Sequence, residues 1–293
     1  MYPKIAHYIW LGPNPLPHYA VSNIIHFNAT NPLYKINLWA AEPVRLKNNL
    51  IEAGYSRLLL SKVNIRPLPR MTAHIQSAVE REMVNSRYGN YAAASDILRL
   101  VVLEMYGGIY MDVDVMVSGS LGYISPEAIS SNRPSDLLIH KETLGRTIRT
   151  SNAVIISQPR TNRLKKMLYY ALTPYINHEI YEMGLGKTAG KDGLSAFLKT
   201  PAMRGISLKE VMWVGKRSIP NLRHQITIWL TGPGMIESYI MAAGFSSRFQ
   251  SSVKMSHPEK FGQRDASPLG NWSSGMNGDG HWVDLKSKRR CSI

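Results

Sequence analysis

Over its first half the chain places apolar residues in short runs separated by turn residues. Ile5-Ala-His-Tyr-Ile-Trp-Leu11 is β-branched and aromatic and is closed by Gly12-Pro13-Asn14-Pro15, a pattern that predicts a buried first strand. Lys35-Ile-Asn-Leu-Trp39 alternates polar with apolar and predicts a half-exposed second strand, with a helix over Val21 to Asn28 between the two. Pro43 suits a helix first turn, and Val44, Leu46, Leu50 and Ile51 give an imperfect helical stripe that stops at Gly54. Val63-Asn-Ile-Arg-Pro67 reads as a further short strand. Strands alternating with helices across short loops imply an α/β fold. Its sheet is expected to be mostly parallel and flanked by helices, with ligands beyond the carboxyl ends of the strands.

The strongest helical signal follows. Asn90 is a good N-cap, Tyr91 to Met105 is almost continuously apolar, and Gly107-Gly108 supplies a stop, so this helix is expected to be buried on most sides. Ile109-Tyr-Met-Asp-Val-Asp-Val115 then reads as a central strand with two aspartates at its end. Farther on, Ala153 to Ser157 resembles a strand, Thr161 to Ala171 an amphipathic helix, and Thr231-Gly-Pro-Gly234 a tight turn before a helix. From Ser246 onward glycine, serine, asparagine and basic residues dominate, and Gly270 to Gly280 reads as a mobile loop.

Composition adds limits. The 293 residues fit one embellished α/β domain over 1–293, in which 1–120 and 121–293 do different work. A single cysteine, Cys291, rules out an internal disulfide and suits a reducing cytosol, of a bacterium or of a host. Met1 to Trp10 lacks a secretory apolar core, and no apolar run is long enough to span a bilayer, so a soluble or peripherally bound protein is expected. A net charge of +15 draws the molecule toward phosphates, acidic proteins or anionic membrane surfaces. Lys286, Lys288, Arg289 and Arg290 before Cys291 read as a solvated basic tail, since Cys291 is misplaced for prenylation.

Charged residues inside apolar segments carry the candidate chemistry. Asp112 and Asp114, one residue apart, face one side of the sheet on an ideal strand and repel unless a cation joins them. Carboxylate oxygens favour hard ions such as Mn²⁺ or Mg²⁺, which can bridge a diphosphate and neutralise it as it leaves. The bland alternative is a solvated strand cap, but the apolar run from Gly107 to Met111 argues for a buried strand. Asp96 and Arg99 share one face of the preceding helix. They are either a simple helical ion pair or an acceptor and a forked donor for sugar hydroxyls and phosphate oxygens. Trp10, at the end of the first strand, is an indole for stacking on a base or an ordinary core residue. Tyr110 is expected to point away from Met111, and to reach the face of Asp112 only if the strand bulges.

Ser95-Asp-Ile-Leu-Arg99, then Tyr106-Gly-Gly, then Tyr110-x-Asp112-x-Asp114 together resemble the D-x-D sugar-transferase superfamily. That group includes the glucosylating domains of large clostridial toxins and related bacterial effectors. Pro3 to Gly12 resembles that group's first strand, and Asn31-Pro with Trp39 its second. The resemblance is good over roughly residues 1 to 120 and thin beyond. It implies a GT-A fold, Rossmann-like, with a helical and loop-rich C-terminal part, and retaining transfer from a UDP-sugar with Mn²⁺ or Mg²⁺. Trp10 is then placed against uracil, Asp96 and Arg99 on sugar and diphosphate, and Asp112 and Asp114 at ribose and metal, with Tyr110 among the nucleotide-sugar contacts. Asn152 falls where relatives place a polar donor contact, although a plain strand-start asparagine explains it as well. A closing loop with a tryptophan and a metal ligand is implied too, with Asn271-Trp272-Ser273 and His281-Trp282 as its candidates.

The toxin-like motif points to a host protein as acceptor, such as a small GTPase, after secretion or injection into the host cytosol. A bacterial surface polysaccharide or glycolipid is the alternative acceptor. Two rivals come from other classes. An aspartyl-phosphate phosphatase also uses Asp-x-Asp after an apolar strand, but it expects Thr or Val where Met116 stands. A nucleic-acid or polyanion binder accounts for the charge, yet no recognised nucleic-acid module is present.

Overall fold

The computed structural model describes residues 2–83, 91–117, 120–121, 136–144, 147–176 and 230–242. These fall into two compact units: the described residues within 2–70 and 98–164 form the first, and those within 71–97 and 165–242 the second.

In the first unit six strands form one sheet: β1 Ile5–Trp10, β2 Lys35–Ala40, β3 Val63–Pro67, β4 Gly108–Met111, β5 Leu137–Leu144 and β6 Thr147–Ser157, in the order β3-β2-β1-β4-β6-β5. The pairs β3-β2, β2-β1 and β1-β4 are parallel, as the alternation of strands and helices predicts. β6 runs antiparallel to both β4 and β5, and it begins well before the predicted Ala153. Helices α1 His18–Thr30 and α2 Pro43–Glu52 and the short α3 Arg57–Leu60 connect the first three strands.

Alternation along the strands divides the sheet into two different faces. Ala6 and Tyr8, Ile36, Leu38 and Ala40, and Ile109 and Met111 join Ala20, Val21, Ile24 and Phe27 of α1 in one apolar core. The odd positions of β1 and β2 carry His7 and Trp39, both buried on the other face, so β2 is not half-exposed as its alternation predicts. Asn37 is covered rather than solvated, and Lys35 at the strand start is exposed. Trp39 stacks on Tyr106 with ring centroids 5.4 Å apart and donates from Nε1 to His7 Nδ1 at 3.0 Å.

Because a tryptophan N–H only donates, His7 Nδ1 must accept. Nε2 therefore carries the proton and donates to the Gly107 carbonyl at 2.9 Å. The imidazole is held neutral. Burial, opposed by the Gly107 bond and reinforced by the Arg66 charge, lowers its pKa from 6.5 to about 4.

α5, Tyr91–Tyr106, ends where the sequence predicts. Gly107 N–H bonds to Leu103 O at 2.8 Å, and Gly107 and Gly108 both have positive φ, 63° and 97°. A Cβ on Gly108 would lie 2.3 Å from the Ile5 carbonyl oxygen, so only glycine lets β4 close on β1.

The second unit contains α4 Ala73–Met83, residues 91–97 of α5, residues 165–176 of α6 Asn162–Ile176, and α7 Pro233–Ala242. Here Tyr175 donates to the buried Glu82 at 2.7 Å, and the rings of Tyr170 and Tyr239 lie 5.6 Å apart. Among the described residues no helix is long and apolar enough to cross a membrane.

Candidate active site

β4 delivers the candidate chemistry at its carboxyl end, but it stops at Met111, one residue short of the aspartates. Asp112 to Val115 form a turn closed by Val115 N–H on Asp112 O at 3.0 Å, while Asp112 N–H bonds to Ala153 O of β6 at 2.8 Å. Asp112 is therefore held by β6 just past the paired part of β4, whereas Asp114 is presented by the turn and not by strand pleating.

Tyr110 reaches Asp112 directly, its hydroxyl donating to Oδ1 at 2.6 Å. The β4-β6 register shows no bulge, so the expectation that a bulge is needed fails: residues two apart on a strand already share a face. Arg99 completes the cluster from α5. Its Nη1 lies 3.3 Å from Asp112 Oδ1 and donates to Asn152 O at 2.6 Å, and its Cζ sits 4.6 Å from the centre of the Tyr110 ring. The cation thus touches a carboxylate, a carbonyl and a π face, all suited to positive charge.

The cluster is enclosed, with the Arg99 and Asp112 side chains 6% and 19% exposed. Burial raises the pKa of Asp112, and the Arg99 charge and the Tyr110 hydrogen bond only partly oppose it. An added cation would relieve that cost by restoring the carboxylate to its charged form.

The other predicted residues divide as follows. Asp96 is buried in the second unit, where Thr231 Oγ1 donates to its Oδ2 at 3.0 Å. Trp10 is half-buried at the end of β1, with Nε1 donating to Asn14 O at 2.8 Å. Since β1 and β4 are parallel neighbours, Trp10 and Asp112 occupy the same edge of the sheet. Asn152 is not at a strand start: it lies inside β6, buried, and supports Arg99 through its carbonyl. Trp272, Ser273 and Trp282 lie outside the described residues. Sequence reasoning missed His7 and Thr231. The signal for the first was a histidine within an otherwise apolar strand; for the second it was a hydroxyl opening a Gly-Pro-Gly turn.

Residues 17–136 match the family described as glycosyltransferase sugar-binding region containing DXD motif. Comparison with curated proteins finds no match. Among solved structures, the catalytic domain of alpha-toxin from Clostridium novyi is 16% identical with a TM-score of 0.54, over 87% of this chain and 77% of that one. The ligand-free glycosyltransferase domain from the YGT toxin is 14% identical with a TM-score of 0.53, over 87% and 80% of the two chains. The UDP-bound form of that domain gives 14% and 0.51, over 89% and 82%. At these identities the likeness is one of fold, and the segment match supplies the chemistry. Residues 17–136, which hold the Arg99, Tyr110 and Asp112 cluster together with Asp96 and Asp114, match a glycosyltransferase sugar-binding region containing a DXD motif, and the chain has the α/β fold of the toxin glycosyltransferase domains.

Proposed function

We propose that the chain is a metal-dependent, retaining glycosyltransferase that moves a hexose or N-acetylhexosamine from a UDP-sugar to an acceptor protein of a host cell. The observation that carries this reading is the enclosed Arg99, Tyr110 and Asp112 cluster at the end of β4, with Asp114 two residues on. Such a cluster suits a nucleoside diphosphate: a buried guanidinium for phosphate oxygens and carboxylates for a bridging cation. The UDP held by the YGT toxin domain supports UDP as the carrier.

Asp112 and Asp114 fit a hard divalent ion such as Mn²⁺ or Mg²⁺. Both side-chain contacts of Asp112 fall on Oδ1, which leaves Oδ2 to coordinate. The rest of the coordination sphere is assigned to diphosphate, water and Ser273, all oxygen donors suited to a hard ion. The ion would supply charge neutralisation on the departing diphosphate. Trp10 is assigned to the base and Asp96 to the sugar; Asn152, Trp272 and Trp282 are also assigned to the donor, and Ser273 to the metal.

A small GTPase is the first acceptor to try, in keeping with the toxin-type fold and the +15 charge, which favours acidic partners. Such a target places the working enzyme in a host cytosol after secretion or injection. A thermal-shift screen of UDP-sugars with and without Mn²⁺ tests the donor, because a ligand of the native state raises the midpoint. A flat response to every UDP-sugar, with no donor hydrolysis, removes the enzyme reading. Radiolabelled donor offered to host lysate and to bacterial membranes tests the acceptor, and label in membranes alone ends the host-protein assignment.

A further inference from the structure

We infer that Asn23, on α1, is a positioning residue of the donor site, fixing the Asp112 to Asp114 turn by holding the carbonyl that lies between the two carboxylates. The inference rests on the proposed role of those carboxylates toward a diphosphate and its metal. Asn23 Nδ2 donates to Val113 O at 3.1 Å, across 90 residues of sequence.

That carbonyl belongs to the peptide joining Val113 to Asp114. Holding its oxygen restrains the plane of the peptide and hence the position of the Asp114 Cα, from which the second carboxylate departs. Two further bonds act on the same turn: Asp112 N–H on β6 fixes its Asp112 end, and Val115 N–H on Asp112 O closes it. Asn23 acts one peptide farther on, where the second carboxylate begins.

The placement is specific. Asn23 lies in line with the buried Ala20 and Phe27 of α1, three and four residues away, at a position where an alanine would favour the helix by several tenths of a kcal/mol. One turn of chain beyond the aspartates, Val115, Val117 and Leu121 enter the core shared with α1. There Asn31, at the end of α1, accepts from Leu121 N–H at 2.7 Å. The segment leaving the carboxylate turn is thus tied to α1 at both Val113 and Leu121. The tie at Leu121 anchors the segment; the tie at Val113 orients the turn.

The test uses the full chain carrying Asn23→Ala, and Asn23→Asp as a second variant of the same shape lacking the donor. Amide exchange of the 112–117 segment in metal-free protein is compared with UDP affinity measured by calorimetry with and without Mn²⁺. The expected result is faster exchange in both variants and roughly three- to tenfold weaker UDP binding in the presence of Mn²⁺, the worth of one hydrogen bond, with thermal midpoints close to that of the parent. Unchanged exchange overturns the inference. So does faster exchange with unchanged UDP and Mn²⁺ affinity, which makes the bond merely structural. A parent protein that binds UDP equally well with and without Mn²⁺ overturns the metal reading instead, and weaker UDP binding by the variants then still supports Asn23 as a positioning residue.

Discussion

Acidification tests the neutral, enclosed state of His7. In the fold its pKa is lowered from 6.5 to about 4, so between those values the unfolded chain takes up a proton that the folded chain refuses. Stability linked to His7 is therefore complete above pH 6.5, falls as the pH drops toward 4, and changes no further below that. A gap of 2.5 units at 1.36 kcal/mol each amounts to roughly 3 kcal/mol, a large fraction of the stability of an ordinary domain. Other groups titrate in the same range. Asp112, whose pKa is raised by burial, works in the opposite sense, favouring the fold as the pH falls. His7→Gln separates the contributions, because an amide supplies a donor for Gly107 and an acceptor for Trp39 with no proton to gain. Urea unfolding followed by far-UV circular dichroism at several pH values from 7.5 to 4 gives the two curves. The parent is expected to lose roughly 3 kcal/mol more than the variant. Parallel curves would refute both the tautomer and the burial argument.

Four other outcomes are expected. Tyr110→Phe keeps the ring against Arg99 but removes the hydrogen bond that lowers the pKa of Asp112, so the acid limb of UDP-sugar hydrolysis should move to higher pH. Asp114→Ala should reduce donor hydrolysis on the order of 100-fold while circular dichroism and thermal midpoint stay near those of the parent. Gly108→Ala combines a left-handed φ with a Cβ 2.3 Å from the Ile5 carbonyl oxygen, and should cost about 3 kcal/mol or more in urea unfolding. Thr231→Val takes a donor from the buried Asp96 carboxylate and should cost about 1–3 kcal/mol by the same measurement.

What the sequence revealed depended on how locally each feature is written. β1, α2, α5 and its Gly107-Gly108 ending are specified by neighbouring residues, through turn chemistry, a proline at a helix start and a glycine stop, and these were legible. The Asp112-x-Asp114 spacing and the charges in an apolar helix were equally visible. The direction of β6 was not, because pairing with β4 joins segments more than forty residues apart and leaves no periodic trace. Nor was the burial of β2: alternation reads as one wet face, whereas His7 and Tyr106 cover Trp39 through contacts spanning 32 and 67 residues. For Tyr110 and Asp112 a spacing of two already implies a shared side, so their contact needs no bulge.

The main-chain contacts at 152 and 153 have an evolutionary corollary. Arg99 leans on the carbonyl of Asn152, and Asp112 is tethered to the carbonyl of Ala153. A carbonyl is present whatever the side chain, so mutation can erase residue identity along this stretch while the scaffolding for both charges survives. These two supports ask only that the ladder between the two strands keep its alignment, a requirement that a comparison of letters does not register.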